Sequence, residues 1–324
     1  MKQSVTVLGA GAWGSAIAHL LATNGNDVTL WCHESEVAES INKSHCNKHY
    51  LPSTILPDTV HATTSLPDAL ANATWIFEAI PVQHIRSVLM QCKGLAPYDA
   101  AWVLLSKGIE QQTLLLPSQI LQQVVGADVR YAVLGGPNFA AELVERALTA
   151  TVVASTDDVL VKKLSLLVAN DYFKTCISDD PVGVQIGGAV KNVLALTIGF
   201  AHGVGYKYHN TMAYLFSQGL AEAALLAERL GGKKETMYGL AGLGDIVLSC
   251  TGTMSKNFRL GMLLGQGLPI EQAAKKFSVV PEGMNTLQSL HEIVQQSKLH
   301  LPLCMGAYRC IYEGFPFKQA LLSL

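Results

Sequence analysis

The chain has 324 residues, of which 49% are hydrophobic and 15% are charged, and its formal net charge is −2. This composition excludes a disordered protein, which has few apolar residues and many charges, and the length indicates about two folded domains. The near-zero net charge also excludes an overall basic field that would attract nucleic acid, so we expect no nucleic-acid partner.

In the first half of the chain, short apolar runs alternate with helical patterns, and the first helix is predicted at 14–23. Such alternation favours a mostly parallel, doubly wound sheet of the Rossmann type with helices on both faces. The stretch 51–66 contains Pro52, Pro57 and several threonines, which predicts an irregular connection. We therefore predict a dinucleotide-binding domain over residues 1–180. Strands are predicted at 5–8, 27–31, 75–80, 101–105, 131–134 and 150–154.

Beyond residue 180 the pattern becomes almost entirely helical. The sequence Asp179-Asp180-Pro181 is typical of a helix start, and we place the domain boundary there. Residues 181–324 are predicted to form a second, all-α domain that follows the α/β domain. Helices are predicted at 182–201, 210–230, 234–239, 245–250, 256–264, 270–276 and 284–296, with a C-terminal pair after them.

We expect no membrane insertion, no export signal and no metal. The apolar stretch 182–204 carries Lys191 in its middle, which favours a buried core helix over a membrane-spanning segment. The apolar run before the first glycine turn is too short for a signal peptide, so we expect a cytoplasmic protein. The seven cysteines are scattered without a CxxC pair, and His45 and His49 lie in a polar stretch that predicts an exposed loop.

The segment from Gly9 to Gly14 is a G-x-G-x-x-G motif between the first predicted strand and the first predicted helix. In that position the motif is typical of a dinucleotide-binding turn. Gly9 would permit the tight turn, Gly11 the close approach of a pyrophosphate, and Gly14 the packing of the helix on the strand. The alternative is a glycine-rich turn that binds no ligand.

The second predicted strand is followed by His33 and Glu34. An acidic side chain at this place in a dinucleotide fold binds the ribose diol of NAD, which favours Glu34 as its partner. His33 is instead suited to the 2′-phosphate of NADP. The sequence therefore predicts NAD or NADP as the cofactor and leaves the choice between them open, and both residues also fit an ordinary solvated loop.

Lys191 lies in a predicted helix that is apolar on nearly every face, where a lysine needs a partner. Helical side chains lean toward the helix N-terminus, so Lys191 is expected to lie over Gly187 and Gly188, one turn earlier. Glycine within a helix is unfavourable by about 1 kcal/mol, which indicates that something needs close access there. The alternative is a lysine whose ammonium group reaches the surface.

Other polar segments are candidates for ligand binding. Asp245 is interpreted as a helix cap, as a group that binds a substrate hydroxyl or orients Lys191, or as both. Residues 251–259 predict a loop with Ser255 as N-cap of the next helix, and such a helix start is suited to an anion or is simply exposed. Segments 106–108 and 135–140 each follow a predicted strand, at the edge where open α/β sheets bind ligands.

Together these blocks resemble the bacterial NAD(P)-dependent glycerol-3-phosphate dehydrogenase family along essentially the whole chain. The resemblance implies reversible reduction of dihydroxyacetone phosphate to sn-glycerol 3-phosphate with NADPH or NADH, which supplies glycerophospholipid synthesis. It also implies a homodimer. Lys256 stands where the family usually has arginine, Asn138 stands where it has serine or threonine, and Pro281 is inserted beside Val280. The matching blocks are 9–14, 106–108, 135–140, 187–192, 239–245 and 282–283.

The resemblance also implies a set of site residues. Lys191 is the catalytic acid/base, Lys107 is a second cation, and Asp245 belongs to the same catalytic group. Substrate contacts are implied for Lys107, Gly136, Asn138, Lys191, Asp245, Ser255, Lys256 and Asn257. Cofactor contacts are implied for Gly9, Gly11, Ala12, Trp13, Gly14, His33, Lys107, Ala140, Lys256, Val280 and Glu282.

Two other functions fit the same fold. A β-hydroxyacid-type dehydrogenase also combines a dinucleotide domain with a helical one, and it would act on a carboxylate substrate. A non-catalytic dinucleotide-sensing protein would keep the fold without turnover. Lys191 beside paired glycines disfavours the sensor, because a sensor needs no proton donor there.

Overall fold

The computed structural model describes residues 3–324, and the chain divides into two compact units. The N-terminal unit comprises the chain up to Ser106 together with Pro117–Pro181, and the helical unit comprises Lys107–Leu116 and Val182–Leu324. The last division, between Pro181 and Val182, lies next to the boundary predicted from the sequence. Segment Lys107–Leu116 is the difference, since it falls inside the predicted 1–180 domain but belongs to the helical unit.

An eight-stranded sheet forms the centre of the N-terminal unit. Its strands are β1 (Ser4–Leu8), β2 (Asp27–Trp31), β5 (Val60–Thr63), β6 (Trp75–Glu78), β7 (Ala101–Leu104), β8 (Tyr131–Gly135), β9 (Thr149–Ala154) and β10 (Phe173–Ser178). They lie in the order β10-β9-β8-β7-β6-β1-β2-β5, and every neighbouring pair is parallel except β8 and β9. The predicted mostly parallel sheet is therefore confirmed.

The strand order changes direction at β1, which locates the ligand-binding edge of the sheet. From β1 the chain proceeds through β2 to β5 on one side, and it returns at β6 on the other side. Open α/β sheets bind their ligands outside the carboxyl ends of the strands at such a point. The helices of this unit are α1 (Ala12–Thr23), α2 (Ser35–Ser44), α3 (Leu66–Leu70), α4 (Val82–Cys92), α5 (Pro117–Val124), α6 (Ala140–Val144) and α7 (Asp158–Val168).

Parts of the N-terminal unit differ from the sequence prediction. The connection 51–66, predicted to be irregular, contains β5 and a short strand, β4 (Leu51–Ile55), that pairs antiparallel with β3 (Cys46–Asn47). Proline is tolerated in β4 because this strand has a neighbour on one side only. Strand β10 is absent from the prediction, because its polar residues at the edge of the sheet interrupt the apolar pattern.

The helical unit has helix α8 at the centre of its hydrophobic core. Ile186, Val190 and Leu194 of this helix are almost completely buried. Within residues 3–324, α8 is the one helix long and apolar enough to cross a membrane, and 89% of its most apolar window is buried in the protein. The helices are α8 (Pro181–Gly203), α9 (His209–Arg229), α10 (Asp245–Cys250), α11 (Lys256–Gly265), α12 (Ile270–Ala274), α13 (Gly283–Ser297), α14 (Pro302–Tyr312) and α15 (Phe317–Leu322), with a 3-10 turn at Lys234–Tyr238 and a π-helical turn at Leu240–Gly244.

Candidate active site

The turn between β1 and α1 contains the three glycines of the motif. Close backbone contacts leave no room for a side chain at two of them, and the third faces open space. Gly9 has φ +108°, and a Cβ atom there would lie 2.7 Å from the Ala79 carbonyl oxygen. A Cβ atom on Gly14 would lie 1.9 Å from the Gly9 carbonyl oxygen, whereas one on Gly11 would have no neighbour within 4 Å. Because a helix start leaves its first amides without intrahelical acceptors, α1 offers donors to a pyrophosphate approaching Gly11. The residues present therefore fit a dinucleotide.

A buried asparagine that the sequence reasoning missed supports this turn. The amide nitrogen Nδ2 of Asn47 donates to the Ala10 carbonyl oxygen at 2.7 Å and to Ser15 Oγ at 2.8 Å. Asn47 is 1% exposed and lies in β3, so the exposed loop predicted for this stretch is wrong there, whereas Lys48 and His49 are exposed as predicted. The sequence carried no signal for it, because a polar residue in a polar stretch is ordinarily solvated.

His33 and Glu34 follow β2, as the sequence reasoning placed them, and both are exposed. The Tyr50 hydroxyl donates to Glu34 Oε1 at 2.9 Å, which holds the carboxylate in one orientation. Burial and this hydrogen bond to a carboxylate raise the pKa of Tyr50, so the phenol stays protonated and remains a donor. The end of β2 therefore presents both a carboxylate and an imidazole to a ligand.

The loop after β8 contains a second group of predicted site residues, Gly136, Asn138 and Ala140. Gly136 has φ +133°, a conformation that favours glycine. Asn138 Nδ2 donates to Thr151 Oγ1 at 3.0 Å, while Asn138 Oδ1 is buried without a hydrogen-bond partner. Ala140 is the first residue of α6. A buried acceptor without a donor is unfavourable unless a ligand or water supplies one, so this loop retains binding capacity.

In the helical unit, two lysine side chains lie on either side of one carboxylate. Lys107 Nζ is 2.5 Å from Asp245 Oδ2, and Lys191 Nζ is 3.5 Å from Asp245 Oδ1. Lys191 Nζ also donates to Ser249 Oγ at 3.0 Å, a partner that the sequence reasoning missed although Asp245 and Ser249 are one helical turn apart. Asp245 is 1% exposed, and the side chains of Lys107 and Lys191 are 18% and 13% exposed. We call Lys107, Lys191, Asp245 and Ser249 the lysine cluster.

The paired glycines of α8 make room for this cluster. A Cβ atom on Gly188 would lie 3.0 Å from Lys107 Cγ, so the stem of Lys107 occupies that space. A Cβ atom on Gly187 would lie 2.2 Å from the Ala241 carbonyl oxygen, in the π-helical turn that leads into Asp245. The space predicted beside Gly187 and Gly188 is therefore occupied by other parts of the protein, namely the Ala241 carbonyl group and the stem of Lys107.

Asp245 does not cap its helix. It is the first residue of α10, and the residue at the N-cap position, Gly244, makes no side-chain cap hydrogen bond. The interpretation of Asp245 as a helix cap is therefore wrong, because its carboxylate accepts hydrogen bonds from Lys107 and Ser249 instead.

The electrostatics of the lysine cluster favour an anionic ligand. Burial lowers the pKa of Lys107, the carboxylate of Asp245 opposes this effect, and the positive charge of Lys191 adds to it. The side-chain nitrogens of Lys107 and Lys191 share this one carboxylate. A positive charge in a site sheltered from water attracts an anion strongly, because screening is weak there.

Helix α11 begins with the predicted capping residue and the predicted cation. Ser255 Oγ accepts from the Phe258 amide at 3.3 Å, which confirms the predicted N-cap. Lys256 is exposed, and its pKa is lowered by desolvation of the ammonium and by the nearby charge of Arg259. The dipole and free amides of the helix, together with this cation, form an arrangement suited to a phosphate.

A chain of amide hydrogen bonds joins α13, α11, α8 and the Lys107 backbone. The Gly283 amide donates to Asn257 Oδ1 at 2.8 Å, and Asn257 Nδ2 donates to Asn192 Oδ1 at 2.8 Å. Asn192 Nδ2 in turn donates to the Lys107 carbonyl oxygen at 3.2 Å. Asn257, predicted to contact substrate, therefore already uses its acceptor and one donor within the protein. Asn192 is a site residue that the sequence reasoning missed.

The last two predicted cofactor residues precede α13. Val280 is 44% exposed, whereas Pro281 is buried. Glu282 stands at the N-cap position of α13, directly before the Gly283 amide that binds Asn257. Glu282 is therefore next to Gly283, the first residue of the chain of amide hydrogen bonds described above, whereas Val280 lies outside that chain.

Comparison with known proteins decides the family. The model for the N-terminus of NAD-dependent glycerol-3-phosphate dehydrogenase matches residues 4–161, and the model for its C-terminus matches residues 180–322. The chain belongs to the NAD-dependent glycerol-3-phosphate dehydrogenase family. The family resemblance stated from the sequence is therefore confirmed.

Curated relatives and solved structures match the family member over nearly its full length. The relative from Oleidesulfovibrio alaskensis, a glycerol-3-phosphate dehydrogenase (NAD(P)+), is 38% identical and covers 99% of this chain and 97% of its own. The relative of the same name from Corynebacterium glutamicum is 39% identical, with 99% and 97% covered. The crystal structure of glycerol-3-phosphate dehydrogenase from Coxiella burnetii has a TM-score of 0.94 at 32% identity and covers 99% and 98%.

A solved structure of D-mandelate dehydrogenase has the same fold as this family member, and the similarity is limited to the fold. Its TM-score is 0.63 at 15% sequence identity, and it covers 99% of this chain. A common fold at such low identity says nothing about substrate.

Proposed function

We propose that this family member catalyses reversible hydride transfer between NAD(P)H and dihydroxyacetone phosphate, giving sn-glycerol 3-phosphate. The observation that carries the proposal is the lysine cluster, in which Lys107 and Lys191 lie on either side of the buried Asp245. Reduction of a ketone builds negative charge on its oxygen, and the charge requires a nearby cation and a proton donor. A buried lysine pair supplies both.

The N-terminal unit would hold the coenzyme. Gly11 leaves space for the pyrophosphate, and the first amides of α1 would donate to it. Glu34, oriented by Tyr50, would accept from a ribose diol, while His33 would contact a 2′-phosphate when present. The coenzyme supplies the hydride when bound, and the residues named here fix its position.

Lys191 would deliver the proton. Its Nζ is held by Asp245 and Ser249, so the ammonium is fixed in direction before a ligand arrives. The proton moves from Lys191 Nζ to the developing alkoxide oxygen, and Lys107 adds a second positive charge that stabilises it. Asp245 orients both amines, and its negative charge opposes the lowering of the Lys107 pKa by burial. In the reverse direction, neutral Lys191 accepts the hydroxyl proton.

The phosphate of the substrate would bind where α11 begins. Ser255 caps this helix, and the Lys256 ammonium is exposed beside it. A lysine acts as a point charge, whereas the family's usual arginine binds phosphate through two parallel hydrogen bonds. Binding the phosphate, which is remote from the reacting carbon, fixes the orientation of the ketone.

A coupled assay separates this proposal from its alternatives. Purified protein should oxidise NADPH, NADH or both with dihydroxyacetone phosphate and should not act on 3-hydroxy acids with NAD(P)+. Activity on 3-hydroxy acids alone would establish the β-hydroxyacid-type function, and coenzyme binding without turnover would establish a dinucleotide sensor. The initial rates with the two coenzymes also measure the preference between NADP and NAD.

The cellular setting belongs to the same proposal. We infer that the protein acts as a homodimer in the cytoplasm, without membrane insertion or a nucleic-acid partner, and supplies sn-glycerol 3-phosphate to glycerophospholipid synthesis. The family membership and the burial of α8 support this inference. Sedimentation of the purified protein tests the dimer, and fractionation of the cells that make it tests the location.

A further inference from the structure

Glu78, the last residue of β6, is a buried acid that the proposed reaction does not use. It is fully buried, and its Oε1 accepts from the Ile80 amide at 2.6 Å and lies 2.7 Å from Ser106 Oγ. Its Oε2 is buried without a hydrogen-bond partner. Across residues 3–324, no lysine, arginine, histidine or second acid contacts this carboxyl group, and the groups that favour its ionised form are neutral hydrogen-bond donors of Ile80, Leu105 and Ser106.

The hydrogen bonds around Ser106 show which form of Glu78 fits. Ser106 Oγ is in hydrogen-bond contact with Glu78 Oε1 and also with the Ile80 carbonyl oxygen. A serine hydroxyl has one proton and can donate to only one of these two oxygens. Both contacts are hydrogen bonds when Glu78 carries a proton on Oε1 and donates it to Ser106, which then donates to Ile80.

The protonated form closes a ring of hydrogen bonds. The Ile80 amide donates to Glu78 Oε1, Glu78 donates to Ser106 Oγ, and Ser106 donates to the Ile80 carbonyl oxygen. Ionised Glu78 would leave a buried charge without a cationic partner and one oxygen–oxygen contact without a proton. Burial independently raises the pKa of Glu78 to about 7, although the Ser106 hydroxyl and the backbone amides of Ile80, Ser106 and Leu105 lower it.

This ring lies behind the glycine turn. Residue Ala79 follows Glu78, and its amide donates to the Leu8 carbonyl oxygen at 2.9 Å. The Ala79 carbonyl oxygen lies 2.7 Å from where a Gly9 Cβ atom would be, and the Ala79 Cβ atom lies 3.2 Å from where a Gly14 Cβ atom would be. The 79–81 turn is thus the surface on which the glycine turn rests. Ser106 directly precedes Lys107 in the chain.

We propose that Glu78 is a positioning residue that works in its neutral, protonated form, fastening the 79–81 turn and Ser106 behind the coenzyme phosphates. Ionisation of Glu78 opens the ring, loosens the surface under Gly9 and Gly14, and weakens coenzyme binding. The inference rests on the coenzyme site of the proposed function and does not depend on the identity of the substrate.

The first test measures coenzyme binding against pH. The dissociation constants of NADPH and NADH, followed by quenching of protein fluorescence, should rise about tenfold from pH 6 to pH 8, because only the protonated fraction is competent. The Glu78→Gln variant, neutral at every pH, should bind with a constant that does not change over this range. The matched control is Glu222→Gln. Glu222 is also buried, but its carboxylate accepts from the Leu303 and Cys304 amides, so this variant should keep the wild-type pH profile.

The second test detects the proton on the Glu78 carboxyl group directly, and it does not depend on whether a variant still binds the coenzyme. Infrared spectra of the wild-type protein should contain the carbonyl band of a protonated carboxyl group at pH 6, and the band should disappear with a midpoint near neutral pH. Glu78→Gln should lack the band. No such band, or a coenzyme affinity independent of pH in the wild type, would overturn the proposal. Loss of activity on dihydroxyacetone phosphate alone would overturn only the proposed function.

Discussion

Replacing Asp245 with asparagine removes the one negative charge of the lysine cluster while keeping nearly the same shape. Opposite charges about 3.5 Å apart attract by about 5 kcal/mol at an effective dielectric constant of about 20. Removing one partner of a buried ion pair destabilises a protein by about 3–5 kcal/mol. Because the side chains of Lys107 and Lys191 keep 18% and 13% exposure, the lower end of that range applies, and we expect a loss of about 3 kcal/mol.

The same substitution should affect catalysis through the lysines. Without the carboxylate, burial and the charge of Lys191 lower the pKa of Lys107 further. The wild type and Asp245→Asn should both lose activity as the pH rises. The variant should therefore lose it at a lower pH than the wild type. Loss of a preorganised charge in an active site lowers kcat by about 100-fold or more. We expect this decrease in kcat for dihydroxyacetone phosphate, with an unchanged dissociation constant for the coenzyme.

Urea unfolding at pH 7 measures the loss of stability, and steady-state rates from pH 6 to pH 9 measure the catalytic effect. The control is Asp99→Asn, a change at an exposed aspartate, which should alter the free energy of unfolding by less than about 0.5 kcal/mol. A variant at Asp245 with wild-type stability and wild-type kcat would refute the argument that this carboxylate holds two buried ammonium groups.

Three more substitutions test the rest of the site. Lys191→Ala should abolish turnover while the coenzyme still binds, and near-normal kcat would exclude Lys191 as the proton donor. Gly187→Ala places a Cβ atom 2.2 Å from the Ala241 carbonyl oxygen, so it should destabilise by about 1–3 kcal/mol in thermal unfolding, unlike Gly306→Ala, where the nearest atom is 3.6 Å away. Because folding raises the pKa of Glu78 from 4.5 to about 7, the free energy of unfolding should fall as the pH rises between these values. Glu78→Gln should remove that slope, and an equal slope in both proteins contradicts the assignment.

The sequence predicted the elements whose signals are local. The glycine motif locates the β1–α1 turn because each glycine answers a local requirement of the backbone. Ser255 is recognisable as an N-cap because its partner, the Phe258 amide, lies three residues further on. Helix α8 is recognisable as a core helix because a lysine in an apolar segment of that length excludes most other interpretations.

The residues that the sequence reasoning missed all depend on partners distant in the chain. Asn47 is buried because it binds the Ala10 carbonyl oxygen across the glycine turn, and nothing near Asn47 indicates that contact. Ser249 and Asn192 belong to the site through side chains that come from other helices. Such polar contacts are decided by tertiary structure, and residue type alone assigns these positions to surface or core.

Because Lys107–Leu116 belongs to the helical unit, a single cut in the chain cannot separate the two units of this enzyme. The chain passes between its two units at residues 106/107, 116/117 and 181/182, so cutting at the last point does not separate them. A fragment ending at residue 181 would expose Ile109 and Leu116, which are 0% and 2% exposed in the intact protein. Coenzyme domains are often treated as interchangeable modules, yet a chimera made here by a single crossover would give the helical unit a foreign Lys107. Recombination that preserves the lysine cluster must transfer residues 107–116 together with the C-terminal half.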